Sequence, residues 1–180
     1  MNYSKTLYKQ LIKESELNIG KELVIVCVGT DRSTGDSLGP LVGTYLSEMN
    51  IKNFIIYGTI EEPVHAVNLQ ETMDLINKRH SDPFVIAIDA CLGAAKSVGE
   101  ISFIKEPLRP GEGVGKKLPA IGVCSITGVV NVSGHMEMLV LQNTRLAVVM
   151  KMAKEIAEII RVTDYYLTNK YYKEIAAAKL

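Results

Sequence analysis

Residues 23–28 read LVIVCV, an unbroken apolar run too short for a helix that must bury a whole stripe. A strand half-exposed to water alternates polar and apolar residues, so a short continuous Val/Ile-rich run points to a strand covered on both faces. PFVIAIDA at 83–90 and NFIIYGT at 53–59 repeat the pattern. GEISFIKE at 99–106 alternates and reads as an edge or antiparallel strand, and AIGVCSIT at 120–127 as a further strand. Helical segments fall between these runs. Residues 3–18 place Leu7, Leu11 and Ile12 on one face and end at Gly20. A helix is expected from Ser37 or Gly39 with Pro40 in its first turn, and another over 63–79, opened by Pro63 with Val67, Met73 and Ile76 inward. The strongest periodicity spans Glu137–Arg161, where Leu139, Leu146, Met150, Ala153, Ile156 and Ile160 recur at helical spacing.

Strands alternating with helices imply an α/β fold with a mainly parallel sheet and helices on both faces. At 180 residues the chain is expected to be one domain. It divides into an N-terminal helix (1–20), an α/β core (21–162) and a helical tail (163–180) holding four of the eight tyrosines. Twenty Lys and Arg balance twenty Asp and Glu, so no global charge advertises a nucleic-acid or anionic-membrane partner. No apolar run reaches the ~18 residues of a membrane span, and the amphipathic start lacks a signal-peptide core, so a cytosolic chain is expected. Cys27, Cys91 and Cys124 lack metal-site spacing and read as free thiols, mostly buried.

The loop GTDRSTGDSLGP, residues 29–40, follows the first strand. Gly29 and Gly35 enclose five residues where a phosphate-binding Walker loop has four, and Asp36 stands where that loop needs lysine. PGEGVGKKL, with Gly111, Gly113 and Gly115, puts Lys116 where a dinucleotide fingerprint wants its third glycine. Lys116 and Lys117 could still bind an anion, but a surface loop with solvated charges is the plainer reading. Ligands of parallel α/β folds sit beyond the carboxyl ends of the strands, where Asp31, Asp36 and Asp89 fall. Two neighbouring carboxylates can share one proton and activate water, or hold a divalent cation. Alternatively Asp36 caps the next helix, Asp89 forms a turn and Asp31 is a plain loop residue. Glu61, Glu62 and His65, after the second strand, reach toward the same crevice or face solvent.

TGDSLGPLVG, IAIDACLGAAKSVGEISF and RPGEGVGKKLPAIGVCSITGVVN occur in that order. Together they resemble the germination protease family of spore-forming bacteria, most closely its short relatives, the YyaC-type sporulation proteins, over residues 24–162. The resemblance implies a three-layer α/β/α sandwich like that of the hydrogenase maturation proteases. It also implies an aspartate-dependent endopeptidase acting on a protein substrate, in the larger enzyme the small acid-soluble proteins that coat spore DNA. Asp36 in GDSLGP and Asp89 in IAIDA match the family's aspartates and are the implied catalytic pair. PGEGVGKK and SITG, with Ser125 and Thr127, would wall the cleft. In the hydrogenase-processing relatives, acids at these two places bind a metal with a histidine. Of His65, His80 and His135, His65 is best placed, none is assigned to that role, and no cofactor is expected. No acidic propeptide is evident at the start. The alternatives are a non-catalytic sporulation protein, self-associating or binding partners through Tyr165, Tyr166, Tyr171 and Tyr172, and a metal-dependent processing peptidase.

Overall fold

The apolar runs LVIVC and FVIAI lie side by side, Leu23 beside Phe84 through Cys27 beside Ile88. They are the two central strands of the computed structural model, which describes residues 3–111 and 118–177. The strands are β1 (Leu23–Cys27), β2 (Phe54–Tyr57), β3 (Phe84–Gly93), β4 (Ile101–Ile104) and β5 (Cys124–Val132). They form one sheet in the order β2-β1-β3-β5-β4. All neighbours run parallel except β4, which pairs antiparallel with β5 at the edge. The helices are α1 (Tyr3–Leu17), α2 (Leu38–Ser47), α3 (Leu69–Arg79), α4 (Glu137–Gln142) and α5 (Leu146–Ala177).

Strand alternation explains why the runs are apolar throughout. Leu23, Ile25 and Cys27 turn to one face, where they pack with Leu7 and Leu11 of α1, Val42 and Leu46 of α2, and Ile156 and Ile160 of α5. Val24 and Val26 turn to the other, against Leu69 and Ile76 of α3. The result is three layers, with the sheet between α1, α2 and α5 on one side and α3 on the other. Cys27 and Cys124 are buried free thiols, and Cys91 is half-buried.

Three helical elements depart from the sequence expectation. The segment after β2 does not become helical at Pro63. Val64 instead bridges Val28, and the Asn68 side chain accepts from the His65 N–H at 2.8 Å and donates to the Pro63 carbonyl at 2.9 Å. These bonds hold the chain in a loop until Leu69, and Val67 is 92% exposed rather than inward. The helix expected over 137–161 is broken at residues 143–145, so Leu139 and Leu146 are both exposed. The Thr144 hydroxyl donates to the Val140 carbonyl and accepts from Asn131 of β5, which ties the break to the sheet. Val149 is buried where Met150 was expected, and Met150 is half-buried; from Ala153 the expected spacing holds, with Ala153, Ile156 and Ile160 buried. No separate tail helix follows, because α5 runs on to Ala177.

One buried carboxylate ties α5 to the start of β2. Asp164 accepts from the backbone N–H groups of Lys52 at 3.0 Å and Asn53 at 2.6 Å, and from the Asn53 amide at 3.0 Å. Asp164→Ala leaves those donors unpaired and is expected to lower stability by about 2 kcal/mol. Thermal unfolding followed by circular dichroism should show Tm falling by roughly 4–8 °C.

Candidate active site

The chain passes from β1 outward to β2 and returns on β1's other side as β3, so the strand order reverses between β1 and β3. Folds of this kind open a crevice at that reversal, beyond the carboxyl ends of the two strands. Asp36 and Asp89 stand there.

Asp36 lies on a 3-10 turn, Gly35–Ser37, that leads into α2. Two glycines set its position. Gly29 leaves β1 at φ +144°, a conformation strained for other residues, and a Cβ there would strike the Asp36 carbonyl. That carbonyl accepts the Thr30 N–H at 3.1 Å, which folds the loop back over the strand end. Gly39 lets the first turn of α2 lie directly on Val28. Asp36 therefore sits inside the turn, one residue before the α2 N-cap position held by Ser37.

Asp89 is not at the end of its strand, because β3 runs on to Gly93 beside β5. It is the first β3 residue beyond β1, whose last contact is the Val28 N–H donating to the Ile88 carbonyl at 2.7 Å. Its carboxylate accepts the Ala90 N–H at 2.8 Å. Burial pushes its pKa up to about 8; the Ala90 N–H opposes the rise and the charge of Asp36 adds to it. Asp89 still keeps partial contact with solvent at the crevice mouth.

Two clefts meet at this pair. One, of about 280 Å³, is walled by Leu92, Leu108 and Leu141, with Arg109, Thr127 and Glu137 about it. The other, of about 350 Å³, runs past Thr30, Arg32 and His65. Asp36, Asp89 and Gly111 line both. Glu137 and Leu141 carry no motif around them, and Arg109, at the head of RPGEGVGKK, is not among the expected site residues. Glu137 and Leu141 enter only because the break at residues 143–145 frees α4 to pack on the Asp36 turn, where Leu141 lies against Gly35.

The other expected residues are more scattered. Thr127 pairs with Asp89 across the sheet. Ser125 is buried, donates its hydroxyl to the Glu106 carbonyl at 3.3 Å, and lines neither cleft. Asp31 and Glu61 are exposed and line neither, while Glu62 joins His65 in a separate groove beside β2. Gly113, Gly115 and Lys116 fall outside the described residues. Among the described residues no three His, Cys, Asp or Glu side chains come together as a metal set. The Nδ1 of His65 has no hydrogen-bond partner among them either, yet it does not complete a cation site with the two aspartates. The donors among the described residues thus do not form a set that fits a resident metal.

Cys91 places a thiol in the first cleft. Burial raises its pKa, the Thr127 hydroxyl opposes the rise and the Asp89 charge adds to it, so the thiol stays protonated. The described helices include none long and apolar enough to cross a membrane.

This architecture is that of the hydrogenase maturation proteases. HycI from Thermococcus kodakarensis superposes with a TM-score of 0.50 at 17% identity, covering 82% of this chain and 97% of that one. The HycI endopeptidase of Escherichia coli gives a TM-score of 0.50 at 14% identity, over 76% and 86% of the two chains. The chain belongs to the family described as "Protein of unknown function (DUF1256)", which matches residues 1–159. It is 57% identical over 145 residues to "Uncharacterized protein YyaC" of Bacillus subtilis, covering 81% of this chain and 71% of that one.

Proposed function

We propose that this chain is an aspartate-dependent endopeptidase of sporulation or germination, acting on a protein substrate such as a small acid-soluble spore protein. The observation that carries the reading is the placement of Asp36 and Asp89 at the one point shared by both clefts. A polypeptide crossing from one cleft to the other presents a peptide bond to the pair. Near neutral pH the pair holds one proton, on Asp89, whose pKa is raised to about 8. Asp36 takes a proton from water as that water attacks the carbonyl carbon. Asp89 hydrogen-bonds the carbonyl oxygen and its proton passes to the leaving amine. Each group is then restored by proton exchange with solvent.

Incubation with a small acid-soluble spore protein tests the reading. Defined fragments are expected from the wild type and none from Asp36→Asn or Asp89→Asn. Fragments from all three would exclude the pair. Cys91→Ser is expected to retain activity within about threefold, because a protonated thiol held by Thr127 is no nucleophile. Loss of turnover by about a hundredfold or more in that variant would move the chemistry to the cysteine.

A non-catalytic docking protein is the second reading. It draws on the exposed cluster of Val132, Met136, Met138, Leu139 and Leu146 around α4, and on exposed Tyr165 and Tyr166 of α5. The side chains of Tyr171 and Tyr172 lie outside the described residues.

A further inference from the structure

The sheet is not equally wide along its length. β1 accompanies β3 only as far as Cys27 beside Ile88, while β5 accompanies it to Gly93 beside Val132. Among the described residues, 89–93 of β3 therefore have a strand on one flank only. In a parallel ladder the backbone groups of successive residues turn to opposite flanks. Ile88 turns its carbonyl to β1, where it accepts the Val28 N–H. Ala90 and Leu92 share its direction and face the flank that β1 has left. Gly93 faces β5, where its carbonyl accepts the Ser133 N–H at 2.8 Å. The Ala90 N–H is taken by the Asp89 carboxylate. Among the described residues, the Ala90 carbonyl and the Leu92 N–H and carbonyl are what remains along the open edge.

That edge is part of the cleft: Asp89, Ala90, Cys91 and Leu92 line it in succession. An exposed strand edge is a template for another chain, and proteins usually blunt theirs with charge, proline or a covering element. Residues 90–93 read ACLG and carry neither charge nor proline. The β5 bulge opposite Cys91 and Leu92 keeps the pair of strands together past the end of β1 without closing the free side.

We propose that the substrate enters as an extended strand and pairs with this free edge of β3, one of its residues bracketed by the Ala90 carbonyl and the Leu92 N–H. The inference rests on the peptidase reading and deepens it. The substrate is then an unfolded or strand-forming segment read through its backbone, and a helix, whose N–H groups are already bonded, is refused until it unwinds. Pairing beside Asp89 would also hold a peptide bond over the two acids through backbone contacts.

Amide hydrogen exchange on the full-length Asp36→Asn/Asp89→Asn double variant tests this without turnover. In the free protein the Leu92 amide should exchange quickly and the Ile88 amide slowly. With an unlabelled small acid-soluble spore protein at saturation, Leu92 exchange should slow by roughly tenfold or more, with Ile88 unchanged. A capped decapeptide cut from that protein should bind about fivefold more weakly when the amide at the bracketed residue becomes an ester, which lacks the donor to Ala90. Protein bound with no slowing at Leu92, no binding at all, or an ester that binds as well as the amide would each overturn the docking mode. Wild-type cleavage is scored separately. Edge protection without cleavage leaves the docking standing and removes the peptidase, and cleavage without edge protection does the reverse.

Discussion

Replacing Asp89 with asparagine is expected to give a protein that is more stable than the wild type and inactive. The side chain keeps its shape and can still accept the Ala90 N–H, but it no longer carries a titrating proton. Loss of one partner in a proton-sharing pair should lower cleavage by about a thousandfold or more. The gain in stability follows from the same displaced pKa. Unfolded, the carboxyl titrates near its ordinary 3.8; folded, it titrates at about 8. Between these values the folded state holds a proton that the unfolded state has released, so raising the pH through this window removes stability. Above about 8 both states are ionised and the loss is complete. Asparagine has no such slope. The variant and the wild type should therefore be alike near pH 4 and diverge steadily up to pH 8. Because Asp89 keeps some water contact, we expect a gap of about 2 kcal/mol at pH 8, a Tm higher by roughly 4–8 °C. Melting curves across pH 4–9 measure it, and a gap that shrinks with rising pH would refute the assignment. Wild-type cleavage should fall on an alkaline limb near pH 8, as the shared proton leaves. Stability spent on a largely buried ionisable group in a crevice is characteristic of a functional site.

Much of the scaffold could be read from the chain because its signals are short-range. LVIVC and FVIAI are apolar at every position, and only a doubly covered strand requires that. The α2 start was readable from Pro40, which fits a first helical turn. The misread boundaries were set by partners distant in sequence. Pro63 resembles a helix opening until Val64 finds Val28, 36 residues away, and Leu139 keeps helical spacing with residues beyond a break tied to Asn131. The AIGVCSIT strand begins four residues later than its apolar start suggests. Ile121 bridges Leu108, and Gly122, at φ +75°, turns the chain before β5 begins at Cys124.

The crevice was half legible. Asp36 could be placed beyond the end of β1 and Asp89 on the same side of the sheet, although β3 runs on to Gly93, and the reversal between β1 and β3 brings the two together. Arg109 and Glu137 could not, since each reaches the cleft through loop and helix packing that leaves no periodic trace. Asp31 and Glu61 show the converse: residues near the right strands whose loops carry them outward.

Gly39→Ala should be among the most damaging single substitutions that leave the acids untouched. The added methyl would overlap the carbonyl, nitrogen and carbonyl carbon of Val28, all backbone atoms at the end of a central strand. A side chain could rotate away, but this backbone is held from both sides by the Val28–Ile88 hydrogen bond and the Val28–Val64 bridge. The α2 start must lift instead, and with it Leu38 and Val42, both fully buried. Overpacking against rigid backbone is expected to lower stability by about 3 kcal/mol, a Tm fall of roughly 6–12 °C. Gly20→Ala is the control: nothing lies within 4 Å of its added methyl, and it should stay within about 0.5 kcal/mol of the wild type. The two variants also separate scaffold from site. Asp36 lies three residues before Gly39 on the same turn, and a displacement of about 1 Å in a reacting group lowers turnover by roughly a hundredfold. Gly39→Ala measured well below its Tm should therefore remain folded and lose most of its cleavage, while Gly20→Ala keeps both. A folded Gly39→Ala with undiminished cleavage would show that the Asp36 turn does not depend on the contact between α2 and β1, and would detach the site from the strand reversal that we hold responsible for it.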